Sequence, residues 1–223
     1  MTPTSTFIDI ILHLDAYLTL VLNQYGVWTY LLIFIIVFCE TGLVITPFLP
    51  GDSLLFVAGT LAATGALDVR LLFAIMVIAA ILGDSINYWI GSVIGTRAFT
   101  SEKVRFLRKE HLLSTQAFYE KHGSKTIILA RFIPMVRTFA PFVGGIGSMQ
   151  YGRFLTYNIL GAFIWVTVFL LGGYYFGSIP VVKENLAVAI GIIIMLSFIP
   201  PIIDYLKHRR EKRREQPQVV VKN

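Results

Sequence analysis

Apolar runs separated by short polar stretches organise this chain and predict a set of membrane-inserted helices. Residues 71–95 and 154–177 are almost uninterrupted apolar sequence, and each exceeds the ~20 residues that a helix needs to cross a bilayer. Residues 186–206 form a third such run towards the C-terminus. Residues 7–22 mix apolar with charged positions, a pattern typical of a helix that lies at the membrane interface.

Two further apolar segments contain prolines and glycines that a continuous helix would not accept. They cover residues 40–65 and 126–149. Their helix-breaking residues are Pro47, Pro50 and Gly51 in the first segment and Pro134, Pro141, Gly144, Gly145 and Gly147 in the second. Because a proline removes a backbone donor and clashes with the preceding turn, each segment is predicted to form two half-helices. Such a break is tolerated at membrane depth only inside protein or beside a water-filled cavity, so both segments are predicted to be re-entrant helical hairpins.

The composition agrees with a membrane protein. Hydrophobic residues make up 56% of the chain and charged residues only 14%, about half the charged share of an ordinary soluble domain. The net charge is +6, and most of the basic residues lie in two segments, 97–125 and 207–222. Since these segments flank apolar runs, they are interpreted as cytoplasmic anchors and not as a surface for nucleic acid.

The two halves of the chain share one plan, a broken segment followed by a span that ends in a pair of glycines. These glycines are Gly91, Gly95, Gly173 and Gly177. If both basic segments are cytoplasmic, the two hairpins must enter the membrane from opposite faces. The predicted fold is therefore an all-α polytopic membrane protein, with an inverted repeat of re-entrant hairpin plus transmembrane helix and an additional C-terminal transmembrane helix. Residues 1–206 form one membrane domain, and residues 207–223 form a basic cytoplasmic tail.

Five charged side chains lie inside the predicted membrane segments, where an ionised group is costly unless it is paired. They are Glu40, Asp52, Asp84, Arg131 and Arg137. If the hairpins face each other, the acids of the first can pair with the arginines of the second. Glu40 and Arg131 stand near the ends of their apolar runs and could instead extend to the lipid headgroups. Asp84 has two interpretations, a buried hydrogen-bonded partner of Asn87 or a member of a proton relay.

Sequence patterns for other chemistry are missing. The four histidines stand among polar neighbours without ligand spacing, and no Ser–His–Asp arrangement or H-E-x-x-H motif occurs. The single cysteine, Cys39, excludes disulfides within the chain and metal centres that need several thiolates. Trp28, Trp89 and Trp165 are interpreted as packing or interfacial aromatics. We therefore expect no metal site, no cofactor and no catalytic residue.

Four stretches are similar to the DedA family of bacterial inner-membrane proteins. They read FCETGLVITPFLPGDSLLFVAG, GDSINYWIGSVIG, FYEKHGSKTIILARFIPMVRTFAPFVGGIGSM and YNILGAFIWV. The resemblance implies facing re-entrant hairpins, a location in the inner membrane and transport of a polyprenyl-phosphate carrier lipid, notably undecaprenyl phosphate. It also implies links to the proton-motive force and envelope integrity. The acidic pair of the family falls on Glu40 and Asp52, and its basic pair falls on Arg131 and Arg137.

The leading hypothesis is a proton-coupled lipid carrier in which Arg131 and Arg137 bind the phosphate. Arginine forms bidentate bonds to phosphate oxygens and stays charged, whereas a carboxylate in a low-dielectric cavity takes up a proton more readily than one in water. Glu40, Asp52 and Asp84 would couple transport to protons. The alternatives are a proton-coupled exporter of cationic drugs or ions, a lipid scramblase, a polytopic lipid phosphatase and a scaffold for envelope proteins. Assembly into a homo-oligomer stays open at this point.

Overall fold

The computed structural model describes residues 14–43, 51–94, 109–147, 149–176 and 179. The first helices are α1 (Leu14–Tyr25), α2 (Trp28–Gly42), α3 (Gly51–Ala63), α4 (Val69–Ile94) and α5 (Lys109–His122). A short 3₁₀ turn, Gly123–Lys125, leads to α6 (Thr126–Ala130), α7 (Pro134–Ile146), α8 (Tyr151–Val166), a π-helical stretch (Thr167–Leu171) and α9 (Gly172–Phe176). The described residues contain no strand, which confirms the all-α class.

Two helical stretches in the described part of the chain are long and apolar enough to cross a membrane, Val69–Ile94 and Tyr151–Phe176. They confirm the two predicted spans with boundaries shifted by one to three residues. The second span is not uniformly α-helical, because its backbone widens into the π-helical stretch between α8 and α9. Such a π-helical turn is rare, and where it occurs within an α-helix it frequently lies at a functional site.

Within the first predicted hairpin, the chain leaves the helical conformation at the end of α2. Helix α2 ends at Gly42, and Leu43 has an extended backbone with φ −99° and ψ 117°. Helix α3 begins at Gly51, so this glycine starts the second half-helix and does not belong to the break. Pro47 and Pro50 lie outside the described residues.

The second predicted hairpin breaks at 131–133, between α6 and α7. A residue that precedes proline avoids the helical region, and Ile133 accordingly has φ −121° and ψ 104°. Pro134 then occupies the first turn of α7, where its missing N–H costs nothing. The prediction that Pro141, Gly144 and Gly145 also break the chain was wrong, because all three lie inside α7. A helix packed against neighbours at membrane depth tolerates proline, since the surrounding protein holds its shape.

The two spans run antiparallel, and one half-helix of each predicted hairpin, α3 or α7, packs on the span of the other half. The ring of Phe73 meets that of Phe163 edge to face, with centroids 5.3 Å apart, and Tyr88 stacks on Phe154 at 4.4 Å. Later positions in α4 therefore meet earlier positions in α8. Helix α3 packs against α9 and the π-helical stretch, while α7 packs against α4.

Glycines make both of these exchanged contacts possible. A Cβ on Gly173 of α9 would overlap the carbonyl of Phe56 in α3, and a Cβ on Gly91 of α4 would overlap the carbonyl of Phe142 in α7. The contacts are reciprocal, because a Cβ on Gly59 or Gly145 would overlap the backbone of the facing span. Small residues are what membrane helices use for close approach, since lipid supplies no hydrophobic drive between them. Gly91 and Gly173, singled out by their matching positions, therefore perform the same packing role in the two halves.

Several predicted features lie outside the described residues. These are the run at 186–206, the tail at 207–223, residues 97–108 of the first basic segment, Gly95 and Gly177.

The glycine contacts predict an asymmetric response to alanine substitution within α9. Gly173→Ala should lower the thermal unfolding temperature in detergent, because the new methyl meets the Phe56 backbone and overpacking of this kind costs roughly 1–3 kcal/mol. The neighbouring Gly172→Ala is the matched control, since a Cβ at Gly172 meets open space within 4 Å. Equal unfolding temperatures for the two variants would contradict the close approach of α9 and α3.

Candidate functional site

The first polar cluster centres on Arg137 of α7. Its Nη1 donates to Asp52 Oδ1 at 2.7 Å, and its Nη2 donates to Glu40 Oε1. These carboxylates come from α3 and α2, so a single guanidinium ties the second hairpin to both halves of the first. All three side chains are almost completely removed from the protein surface. We call this group, Glu40, Asp52 and Arg137, the Arg137 cluster.

The start of α3 holds the Glu40 carboxylate in place. The backbone N–H of Gly51 donates to Glu40 Oε1 at 3.2 Å, so the carboxylate also satisfies one of the free amides at the first turn of α3. A Cβ on Gly51 would overlap the same carboxylate. Glycine is therefore the residue that lets an acid approach this helix end, and the positive end of the helix dipole stabilises its charge.

Asp52 has a second donor from the other half of the chain. The indole Nε1 of Trp165, in α8, donates to Asp52 Oδ1 at 2.9 Å. Asp52 Oδ1 therefore accepts hydrogen bonds from both Arg137 and Trp165. Trp165 is completely buried, in contrast to the exposed Trp28 and Trp89.

The second polar cluster centres on Arg131, in the turn between α6 and α7. Its Nη2 donates to Asp84 Oδ2 and to Asn158 Oδ1, each at 2.5 Å. Asn158 is held in turn by donating through Nδ2 to the Ile81 carbonyl at 3.1 Å. Asp84 and Ile81 belong to α4 and Asn158 belongs to α8, so this arginine joins the two spans to the second hairpin. We call Asp84, Arg131 and Asn158 the Arg131 cluster.

A glycine again makes room for the arginine. A Cβ on Gly161 of α8 would lie 3.0 Å from Arg131 Nε and 3.1 Å from Arg131 Cδ, closer than side-chain contacts normally allow. The side chain of Arg131 is consequently buried to 1% exposure against α8.

Asn87 has a different role from the one considered for it. Its Nδ2 donates to the carbonyls of Thr41, at 3.2 Å, and Thr138, at 2.8 Å, so it fastens α4 to both hairpins. The interpretation of Asp84 as a hydrogen-bonded partner of Asn87 was wrong, because Asp84 pairs with Arg131. An ion pair outweighs a neutral hydrogen bond when a charged carboxylate is buried.

The five charged residues found from the sequence all come together in the interior. The predicted pairing of the first hairpin's acids with the second hairpin's arginines holds for Arg137, whereas Arg131 pairs with the acid of a span. Extension of Glu40 or Arg131 to the headgroups is not seen, since their exposures are 0% and 1%. Asn158 and Trp165 were missed as site residues, although each places a polar atom inside an apolar span and could have been recognised on that ground.

The two clusters together hold three carboxylates and two guanidiniums, which gives one net negative charge when all are ionised. Several donors are still free of any partner among the described residues, namely Arg131 Nε, Arg131 Nη1 and Arg137 Nε. Glu40 Oε2 and Asp84 Oδ1 are likewise buried acceptors without a partner there. The site can therefore accept both the oxygen atoms of an anion and additional protons.

The Arg131 cluster predicts a coupled loss of stability. Arg131→Gln and Asp84→Asn should each lower the thermal unfolding temperature in detergent, because removing one partner of a buried ion pair costs about 3–5 kcal/mol. The double variant should lose less than the sum of the single losses, since neither charge is then left alone. Arg153→Gln, at an exposed arginine of α8, is the control that should change little. Strictly additive losses would argue against a direct Arg131–Asp84 interaction.

Comparison with known proteins assigns the family. Residues 49–175 match the VTT domain. The chain is 52% identical to Protein DedA of Escherichia coli K12, over 93% of this chain and 95% of that protein. It is 42% identical to the uncharacterized membrane protein Rv0364 of Mycobacterium tuberculosis H37Rv, over 83% of this chain and 82% of the relative.

A more distant relative is the inner membrane protein YqjA of Escherichia coli K12, 32% identical over 68% of this chain and 69% of that protein. No solved structure matches the chain. The VTT domain and the extent of the similarity to DedA show that this chain is a membrane protein of the DedA family.

Proposed function

We propose that this protein carries a polyprenyl phosphate, undecaprenyl phosphate in the first instance, between the leaflets of the bacterial inner membrane. The observation that carries the proposal is the pair of buried arginines, Arg131 and Arg137, whose free N–H groups lie in the interior of a membrane domain. A guanidinium cannot lose its proton, and its planar donors match phosphate oxygens. The polyprenyl chain can stay in lipid while only the phosphate enters the protein.

The proposed coupling to protons follows from the charge of the site. A phosphate brings at least one more negative charge to a group that already carries one net negative charge when its acids are ionised. Unpaired negative charge is costly in a low-dielectric interior. Uptake of protons by Glu40 or Asp52, which surround Arg137, would remove that cost and free the guanidinium for the phosphate. Asp84 would serve Arg131 in the same way.

Alternating access is proposed to use the inverted repeat. Thr138 and Phe142 of α7 meet Asn87 and Gly91 of α4, so these two helices run in the same direction. Asp52 and Phe56 of α3 meet Trp165 and Gly173 of the second span, so α3 and the second span also run in the same direction. Because the two spans are antiparallel, α3 and α7 point in opposite directions. This order supports hairpins that enter the membrane from opposite faces, with both basic segments and the C-terminus in the cytoplasm.

A proton-coupled exporter of cations is the second candidate. The excess of one carboxylate over the arginines favours it, because a cation would neutralise the site directly. Purified full-length protein in proteoliposomes separates the two functions. Leaflet-resolved transport of undecaprenyl phosphate supports the carrier, whereas efflux of a cationic dye without lipid movement supports the exporter. Release of phosphate from the polyprenyl diphosphate would instead assign an enzyme.

We predict that Arg137→Lys impairs transport of undecaprenyl phosphate although it preserves the charge. Lysine loses the planar fork that binds Glu40, Asp52 and a phosphate, and one missing hydrogen bond to a charged group costs about 1.5–3 kcal/mol. The measurement is the lipid concentration for half-maximal transport in proteoliposomes. Arg153→Lys, at the exposed arginine of α8, is the control. Unchanged transport by Arg137→Lys would rule out a bidentate role.

We predict that Asp52→Asn separates lipid binding from the response to pH. Asparagine resembles the protonated acid, so the variant should still bind undecaprenyl phosphate while its transport rate no longer follows external pH. Glu40→Gln should behave in the same way, because Glu40 binds the same guanidinium. The measurement is the transport rate at several external pH values with internal pH fixed. If both variants keep the parental pH profile, the acids only balance the charge of Arg137 and the proton coupling is wrong.

A further inference from the structure

Trp165 lies between the Arg137 cluster and the Arg131 cluster. The centroid of its ring is 5.1 Å from Arg137 Cζ and 6.0 Å from Arg131 Cζ, distances at which an aromatic face attracts a cation. Its Nε1 donates to Asp52 Oδ1 at 2.9 Å. One completely buried indole therefore contacts both guanidiniums and one of the acids that bind them.

The two kinds of contact act on the arginines in a specific way. The attraction between a guanidinium and an aromatic face uses no N–H group, so Trp165 can hold both arginines while their donors stay available to a ligand. Tryptophan binds cations more strongly than other aromatic residues do, and the interaction strengthens when both groups are removed from water. Both conditions are met here, because Arg131, Arg137 and Trp165 are all buried.

The indole N–H gives Asp52 a partner that does not depend on Arg137. An indole nitrogen is a donor under all conditions and cannot become an acceptor or change its charge. If a phosphate occupies Arg137 Nη1, Asp52 Oδ1 therefore keeps the hydrogen bond from Trp165 and stays oriented. Since a buried carboxylate is costly when its hydrogen bonds are lost, this retained donor lowers the cost of releasing Asp52 from Arg137.

We propose that Trp165 is a positioning residue that makes the two arginines act on a single phosphate group. The aromatic face of Trp165 attracts the guanidiniums of Arg131 and Arg137 and so orients both towards the same phosphate. The indole N–H keeps its hydrogen bond to Asp52 while the phosphate is bound. This inference rests on the proposed function, and it adds a residue that the lipid-carrier hypothesis did not include. A tryptophan that serves packing alone would contribute to stability without sensing the ligand.

Tryptophan fluorescence tests the proposal in the native side chain. The chain contains three tryptophans, so Trp28→Phe with Trp89→Phe leaves Trp165 as the single emitter, and both replaced residues are exposed. The full-length protein in nanodiscs is titrated with undecaprenyl phosphate and, as a matched control, with uncharged undecaprenol. We expect a saturable change of Trp165 emission with the phosphate alone, and its loss when Arg137→Gln is added.

Transport kinetics provide the second arm. Trp165→Phe keeps an aromatic ring but removes the N–H, so the concentration of undecaprenyl phosphate for half-maximal transport should rise about fivefold or more. The maximal rate and the thermal unfolding temperature should change much less. Trp89→Phe is the control and should leave all three quantities unaltered.

The outcomes distinguish this inference from the proposed function. The parent protein could transport undecaprenyl phosphate while Trp165 emission does not change on lipid addition and Trp165→Phe has parental kinetics. In that case Trp165 serves packing alone and the inference is wrong. If the parent itself neither binds nor transports the lipid, the proposed function fails. A Trp165→Phe protein that does not fold leaves the fluorescence titration to decide, since that titration uses the unchanged Trp165.

Discussion

A guanidinium buried at membrane depth must have an acid beside it, and this requirement governs the arrangement of the whole domain. A buried lysine or carboxylate can become neutral by losing or gaining a proton, whereas arginine stays charged. The partner of a buried arginine therefore has to come from the protein or from a ligand. Arg137 reaches back to Glu40, 97 residues earlier in the chain, and Arg131 reaches Asp84, 47 residues earlier. Neither hairpin can move away from its partners without leaving a charge unpaired. The ion pairs thus link distant parts of the chain more strictly than apolar packing in lipid could.

Short ion pairs require helices that approach closely, and the glycines supply that approach. Gly51 admits the Glu40 carboxylate at the start of α3, and Gly161 admits the side chain of Arg131 against α8. Further out, Gly91 and Gly173 bring each span against the hairpin of the opposite half. These positions differ from flexible loop glycines because they are helical and buried. These glycines leave space between the helices. A single added methyl group would push the helices apart and separate the arginines from their carboxylate partners.

The sequence indicated the charged residues of the site but not all of their partners. Ionised groups are so costly in an apolar run that Glu40, Asp52, Asp84, Arg131 and Arg137 could be selected without any structure. The break at 131–133 was predicted because Pro134 has a fixed backbone effect. Partner choice was less predictable, since it depends on which helices meet. Asp84 was considered as a partner of Asn87 or as a member of a proton relay, and its pairing with Arg131 was not predicted. Pro141 was overestimated as a breaker because tertiary packing can retain a proline within a helix. Trp165 was interpreted as a packing or interfacial aromatic because one N–H contributes little to an otherwise apolar pattern.

Because two carboxylates of the protein bind one arginine, a ligand phosphate can exchange with them at that guanidinium. A single carboxylate would neutralise Arg137 and leave a simple structural pair, whereas Glu40 and Asp52 together exceed its charge. A phosphate dianion also carries two negative charges, so it can replace both acids at the guanidinium without changing the local balance, provided that each displaced acid takes up a proton. The same donors cannot serve the acids and the phosphate together. Under the proposed function, this competition links lipid binding to protonation through Arg137 itself, and the reciprocity of linked equilibria requires that protons in turn promote lipid binding.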